Sequence, residues 1–69
     1  MDKAFIYLAN HEGDSWVRAD MIVGLYLKPG GKQTEVHLNS AGVVSVTMTD
    51  LTPVQVLRKL QKAWEFTND

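Results

Sequence analysis

The stretch TDLTPVQVLRKLQKAWE (49–65) has the pattern of an amphipathic helix with a well-marked start. Thr52 is a favourable N-cap, and Pro53 suits the first helical position because its missing N–H would have no partner there. Gln55 follows Thr52 at the spacing of a capping box. In this motif the side chain of each residue accepts a hydrogen bond from the backbone N–H of the other. These signals predict a helix over about 53–65.

One face of this helix is apolar, and the opposite face is mostly basic. The apolar stripe consists of Val56, Leu57, Leu60, Ala63 and Trp64. Its width is typical of a helix that lies across a sheet. Leu51 and Val56 can form a hydrophobic staple at its start. Trp64 lies in the last turn, so the stripe either closes the core of this chain or extends beyond it to meet a partner.

The residues before the helix alternate between apolar and polar in short runs separated by turn residues. They predict antiparallel strands at about 4–9, 15–18, 20–28, 33–38 and 43–49. The segment NHEGD (10–14) has the composition of a tight turn, and so has NSAG (39–42).

The phase of the alternation predicts which side chains share a face of each strand. In the first strand, Ile6 and Leu8 share a face with Ala4, whereas Phe5 and Tyr7 lie on the other face, so both faces are apolar. In the third strand, Met21, Val23, Leu25 and Leu27 alternate with Ile22, Gly24, Tyr26 and Lys28. In the last strand, Val44, Val46 and Met48 are expected to face inward. Gly24 lies within the third strand, where a glycine often marks a bulge or a bend.

These elements predict an α+β fold, mainly β, in a single domain over 1–69. The expected architecture is a five-stranded antiparallel meander, closed as a small SH3-like or Sm-like barrel and followed by one C-terminal amphipathic helix. A chain of 69 residues buries only about 60% of its exposable surface, and it has no cysteine for a disulfide. Self-association is therefore an expected source of stability.

Composition narrows the classes of function. The net charge of −1 and the pI of about 6.0 argue against a protein that mainly coats nucleic acid or anionic membranes. No apolar run approaches the roughly 18 residues of a membrane span, and the N-terminal run is too short for a signal peptide. We expect a cytoplasmic protein without a membrane role.

Candidate chemical sites are few. The segment HEGD (11–14) lacks the spacing of a helical zinc motif or an EF-hand loop, and His37 has no second imidazole predictably near it. No serine or carboxylate pair forms an identifiable catalytic pattern. We therefore expect no catalytic residues, no metal and no cofactor.

Two glycines flanked by lysines in KPGGKQ (28–33) form a hairpin tip that could contact phosphate. An RNA- or DNA-binding regulator on a small-barrel scaffold would use the cations Arg18, Lys28, Lys32, Arg58, Lys59 and Lys62. Tyr7 or Tyr26 would then stack on bases. The helix cations also interact favourably with the negative C-terminal end of the helix dipole. This interaction explains their position without any ligand.

The order of these features resembles the small FlbD-type proteins encoded among bacterial flagellar genes. The similarity covers an apolar start, a Gly turn, a strand entered by Asp-apolar-Ile, a Thr-x-apolar-x-Leu strand and a helix with a Val-apolar pair. The matching positions are Ile6, Leu8, Gly13, Asp20, Met21, Ile22, Thr34, Val36, Leu38, Gly42, Val46, Val56, Leu57 and Leu60. The loop at 29–33 is longer than in that family, and the tail KAWEFTND (62–69) differs. The resemblance implies a non-enzymatic cytoplasmic accessory protein; a phage or plasmid protein on the same scaffold would show the same pattern.

The leading hypothesis is therefore a protein-binding or regulatory module that also self-associates into a homo-oligomer. Aromatic residues without an obvious place in the core are the usual anchors of protein interfaces. The candidate protein-binding residues are Trp64, Phe66, Tyr26 and Trp16.

Overall fold

The computed structural model describes the backbone of residues 5–67 and the side chains of residues 5–64. The strands are β1 (Phe5–Leu8), β2 (Ser15–Arg18), β3 (Ile22–Leu27), β4 (Thr34–Ser40) and β5 (Val43–Thr49), followed by the helix α1 (Pro53–Thr67). A 3-10 turn at Ala19–Met21 joins β2 to β3. The five strands and the C-terminal helix predicted from the sequence are confirmed.

The strands form two antiparallel sheets instead of the predicted closed barrel. β1 pairs with β2, and a separate three-stranded sheet has the order β3-β4-β5. Within residues 5–67 the sheets meet by backbone only where the Asp50 N–H donates to the Ala9 carbonyl at 2.8 Å. β1 and β2 have four residues each, and the 3-10 turn redirects the chain between β2 and β3, so that β3 pairs with β4 and not with β2. The barrel prediction is therefore wrong.

The core lies between the two sheets and under one side of α1. Its buried apolar residues are Ile6, Leu8, Ala19, Val36, Val56, Leu60 and Ala63. Ile6 and Leu8, which were predicted to share a face of the first strand, both lie in this core, since Ile6 is 5% exposed and Leu8 is fully buried. Burying apolar side chains of this size stabilises the fold by roughly 1.5–3 kcal/mol each.

The start of α1 has the predicted capping box. The Gln55 N–H donates to Thr52 Oγ1 at 3.2 Å, and the Thr52 N–H donates to Gln55 Oε1 at 2.8 Å. Leu51 packs against the core cluster that contains Val56, as expected for a staple. The capping box and the staple could be predicted from the sequence because each depends only on residues that are close together in the chain.

A two-residue turn sets the phase of β5, and this phase is opposite to the predicted one. Ala41 and Gly42 have φ of 53° and 86°, which is the left-handed conformation that a type I′ hairpin turn requires. The turn pairs Ser40 with Val43 and therefore Val36 with Thr47. Val36 is buried, so Thr47 shares its inward face. Consequently the residues predicted to be inward, Val44, Val46 and Met48, lie on the outer face, where Val44 is 66% and Val46 is 50% exposed.

β3 has the irregularity predicted at Gly24. The pairing of β3 with β4 shifts register between Ile22 and Gly24, which places an extra residue in the strand. Ile22 and Leu25 both pack against the core, while Val23 is 66% exposed. The strict alternation predicted for Met21, Val23, Leu25 and Leu27 is therefore wrong, because the bulge breaks the period of two.

Within the described residues, no helix has the length and apolar character needed to span a membrane.

Candidate functional site

An apolar groove lies between the edge strand β3 and the helix α1. Its volume is about 400 Å³. The residues that line it are all uncharged: Ile22, Val23, Gly24, Leu25, Pro53, Leu57, Leu60 and Trp64. Pockets that bind other molecules are usually lined mainly by such side chains. The groove is therefore the best candidate for a binding site among the described residues.

The groove exists because only part of the helix stripe is covered. Val56, Leu60 and Ala63 are buried against the sheets, but Leu57 is 45% and Trp64 is 46% exposed. The stripe is wider than the contact that the sheet offers, since β3 is an edge strand and no further strand lies beside it in the described residues. The stripe thus closes the core along one side and lines the groove along the other.

The bulge in β3 shapes the opposite wall of the groove. It turns Val23 outward between Ile22 and Gly24. At Gly24 the backbone is open to approach, because a Cβ atom there would meet only the His37 Cβ at 3.8 Å. Sequence reasoning placed Val23 on the same face as Leu25 and so missed it as a separate surface residue; Gly24 was the available signal, since a bulge reverses the side-chain phase.

The four aromatic residues predicted to bind protein do not form one surface. Trp64 lines the groove. Tyr26 is 50% exposed on the outer face of β3, beside Glu35 and His37. Trp16 is 67% exposed on the β1–β2 hairpin, where its ring lies 4.9 Å from that of Tyr7. The side chain of Phe66 lies outside the described residues.

Two of the predicted nucleic-acid cations are engaged within the chain. Arg18 donates to Asp20 through Nε at 3.1 Å and through a terminal nitrogen at 2.8 Å. These hydrogen bonds raise the pKa of Arg18 above its ordinary value. Lys59 Nζ lies 5.8 Å from the centre of the Tyr7 ring, within the range of a cation–π contact.

The other predicted cations are exposed and lie on two different elements. Lys28 and Lys32 flank the β3–β4 hairpin tip, whereas Arg58 and Lys62 lie on the solvent side of α1. Tyr7 and Tyr26, the proposed stacking residues, belong to different sheets. The structure thus divides these cations and aromatics between separate elements.

A polar network that sequence reasoning missed joins the β1–β2 turn to the segment before α1. His11 donates its backbone N–H to Asp50 Oδ2 at 2.6 Å, and its Nδ1 lies 3.0 Å from Asp50 Oδ1. Gln33 Nε2 donates to Asp50 Oδ1 at 3.0 Å and to Asn10 Oδ1 at 3.1 Å. The Gln33 hydrogen bond first, and then those from His11, hold the pKa of Asp50 below its ordinary value.

A second part of this network closes the β1–β2 turn itself, as predicted for NHEGD. The Asn10 N–H donates to Asp14 Oδ1 at 3.0 Å, and the Tyr7 hydroxyl donates to Asp14 Oδ2 at 2.7 Å. The first of these bonds is the larger cause of the lowered pKa of Asp14, and the second raises the pKa of Tyr7. No signal in the sequence pairs His11 or Gln33 with Asp50, because the contact depends on how the loops meet.

The described residues contain no group of three or more His, Cys, Asp or Glu side chains placed to hold a metal ion. His37 and Glu35 meet on the outer sheet face, where His37 Nε2 lies 3.2 Å from Glu35 Oε1. Compared with models of protein families, with curated proteins and with solved structures, the chain matches none of them.

Proposed function

We propose that this chain is a small non-enzymatic accessory module that binds another protein through the groove between β3 and α1. The observation that carries the proposal is the half-exposed pair Leu57 and Trp64, which lines an uncharged groove. Tryptophan in such a position is the residue type most often found to dominate binding energy. We further propose that the module acts in the cytoplasm and associates with itself.

The occupant that fits this groove is a protein segment with apolar side chains flanked by acidic residues. The groove lining is uncharged, so apolar side chains can enter it without leaving a buried charge unpaired. Two cations lie close in the chain to elements of the groove without lining it: Arg58 follows Leu57, and Lys28 follows the end of β3. Acidic residues beside the apolar segment would complement these charges and speed association.

The resemblance to the FlbD-type flagellar proteins supports an accessory role of this kind. It rests on fold-determining positions such as Ile6, Val36 and Leu60, and therefore agrees equally with a phage or plasmid accessory protein on the same scaffold. The alternative, a nucleic-acid-binding regulator that uses Arg18, Lys28, Lys32 and the helix cations, receives less support because Arg18 is paired with Asp20.

Selection from a displayed random-peptide library tests the proposal and its alternative together. We expect the wild-type chain to select peptides rich in Leu, Phe or Trp beside Asp or Glu. Trp64→Ala should weaken their binding about thirtyfold, as for a dominant interface residue. Trp16→Ala is the matched control, since it removes an exposed tryptophan that does not line the groove.

Circular dichroism should show that Trp64→Ala remains folded, because its side chain is 46% exposed. Peptides that bind Trp64→Ala as tightly as wild type would contradict the groove proposal, as would failure to select apolar peptides. Binding of mixed oligonucleotides at low salt, weakened by Lys28→Gln and Lys32→Gln, would favour the alternative, because phosphate contacts are strongest there.

A further inference from the structure

The first half of β5 is an open sheet edge without the features that usually protect one. β5 is the outer strand of the three-stranded sheet. At its far end the edge is covered, since Asn10 Nδ2 donates to the Met48 carbonyl at 3.0 Å. From Val43 to Val46 every residue is exposed. Exposed edges of this kind are templates for pairing with another strand.

The backbone groups of Val44 and Val46 point toward this open edge. The two-residue turn pairs Ser40 with Val43, so in the antiparallel ladder the odd-numbered residues of β5 direct their N–H and C=O groups to β4. Val44 and Val46 direct theirs away from the sheet, in the same direction as the Met48 carbonyl. Among the described residues, none bonds to the backbone groups of Val44 or Val46 outside the sheet.

The other strand edges carry protective features. β1 and β2 have only four residues each, and β3 contains the bulge at Ile22–Gly24. Short edge strands and bulges are two common means of preventing edge pairing. β5 has seven residues in regular register, and it contains neither proline nor lysine. It is therefore the edge most open to pairing.

The composition of this edge fits a second copy of the same strand. No charged residue occurs from Ser40 to Thr49. Antiparallel pairing of two identical strands about a two-fold axis brings like residues close together, so any charge would lie near its own copy and oppose association. An uncharged, valine-rich segment meets this condition, and its valines lie on both faces of the strand.

We infer that two copies of this chain associate by antiparallel pairing of β5 with β5 of the second copy, centred on Ser45. This centring places Val44 opposite Val46 of the second copy, so that both residues with open backbone groups bond to each other. It joins the two three-stranded sheets into one continuous sheet. The inference specifies the self-association in the proposed function, and it does not depend on the groove.

The interface formed in this way is small. Its main apolar contributors are Val43, Val44 and Val46, which are 69%, 66% and 50% exposed. Strand pairing over so few residues buries less than the roughly 800 Å² per partner of a standard stable complex. We therefore expect a reversible dimer that forms in a concentration-dependent manner.

Single-cysteine variants test the pairing and its register, because the natural chain has no cysteine. Ser45 would form a pair without mutual hydrogen bonds, with Cα atoms about 4.5 Å apart, within the range of a disulfide. Ser45→Cys should form a disulfide-linked dimer under mild oxidation. Val43→Cys is the matched control on the same face, since its two copies would be about 13 Å apart along the strands.

Light scattering and sedimentation over a range of concentrations test the edge without a crosslink. Val44→Lys should weaken dimer formation at least about tenfold, because it places like charges at the two-fold interface. Val23→Lys is the matched control: both valines are 66% exposed, but Val23 lines the groove instead of the β5 edge. Val23→Lys should leave the dimer intact.

The outcomes separate this inference from the groove proposal. A chain that stays monomeric at all concentrations overturns the inference and leaves peptide binding to the groove untouched. A dimer that Val23→Lys or Trp64→Ala dissociates, while Val44→Lys does not, also overturns it and assigns self-association to the groove. Equal crosslinking of Ser45→Cys and Val43→Cys overturns the proposed register.

Discussion

Thr34 and Thr49 lie opposite each other on β4 and β5, and each donates its buried hydroxyl to a carbonyl outside its own sheet. Thr49 Oγ1 donates to the Ala9 carbonyl at 2.6 Å, and Thr34 Oγ1 donates to the Leu51 carbonyl at 2.7 Å. The first bond ties the three-stranded sheet to the end of β1, and the second ties it to the residue before the helix cap. The Thr49 hydroxyl thus joins the end of β5 to the end of β1, which a closed barrel would have joined by strand pairing.

Removal of the Thr49 hydroxyl should destabilise the fold. Thr49→Val keeps the shape of the side chain but loses the bond to Ala9 and the bond that Thr49 Oγ1 accepts from the Leu51 N–H at 3.2 Å. We expect the free energy of unfolding to fall by about 1–3 kcal/mol, measured by urea denaturation. Thr49→Ser retains the hydroxyl and should lose clearly less; equal losses would show that the hydrogen bonds contribute little.

The hairpin turn after β4 offers a stabilising substitution. Ala41 has a φ of 53°, which costs a residue with a Cβ roughly 1 kcal/mol, whereas Asn adopts this conformation more readily. Ala41→Asn should therefore raise the free energy of unfolding by about 0.5–1 kcal/mol. Ala41→Val, with a branched side chain at the same φ, should lower it. Thermal denaturation of wild type and both variants measures this order of stability. An Ala41→Val variant as stable as Ala41→Asn would contradict the prediction.

The two sides of the helix stripe should respond differently to truncation. Leu60 is 3% exposed and Leu57 is 45% exposed. Leu60→Ala should cost about 2–4 kcal/mol of stability because it leaves a cavity in the core. Leu57→Ala should cost less than about 1 kcal/mol, since much of that side chain is already in water. Chemical denaturation of both variants measures this difference, and similar losses would contradict a half-covered stripe.

Acid should weaken the fold through Asp14 and Asp50. Hydrogen bonds hold the pKa of both carboxyls below the ordinary value. Their contribution is therefore fully present above the unfolded pKa of about 3.9 and is lost as the pH falls through the lower folded pKa. We expect the melting temperature of wild type to fall as the pH drops below about 4.

Asp50→Asn should reduce stability at neutral pH and flatten this acid dependence, because the neutral amide cannot lose the same interaction by protonation. Glu12→Gln, which removes an exposed carboxylate from the same turn region, controls for the change in net charge. Melting curves from about pH 7 to about pH 2 check the prediction. If the melting temperature of Asp50→Asn falls in acid as much as that of wild type, the network of Asp50 with His11 and Gln33 does not contribute to stability.

Several features could be predicted from the sequence because they depend on nearby residues. Thr52 and Gln55 are close enough in the chain for their capping box to form wherever the helix lies. Gly24 indicated a bulge, and the turn composition of NHEGD indicated the β1–β2 hairpin. The width of the apolar stripe of α1 also indicated, correctly, a helix that lies against a sheet.

Other features depend on which segments meet, and the alternation alone did not resolve them. Val43, Val44 and Val46 place apolar residues in both phases of β5, so the pattern permits either face to be inward. The Ala41–Gly42 turn decides the phase, since it pairs Ser40 with Val43 and so aligns Thr47 with buried Val36. Ala-Gly is not one of the usual type I′ dipeptides, because the Cβ of Ala disfavours a positive φ, so the sequence did not signal this turn.

The sequence by itself determined the number of strands, the helix and its start, because short-range propensities and hydrogen bonds specify them. Only the tertiary structure decided that the sheets stay separate, that Trp64 borders a groove instead of filling the core, and that the β5 edge is open. These features depend on long-range packing. The width of an apolar stripe does not reveal how much of it a neighbouring sheet will cover.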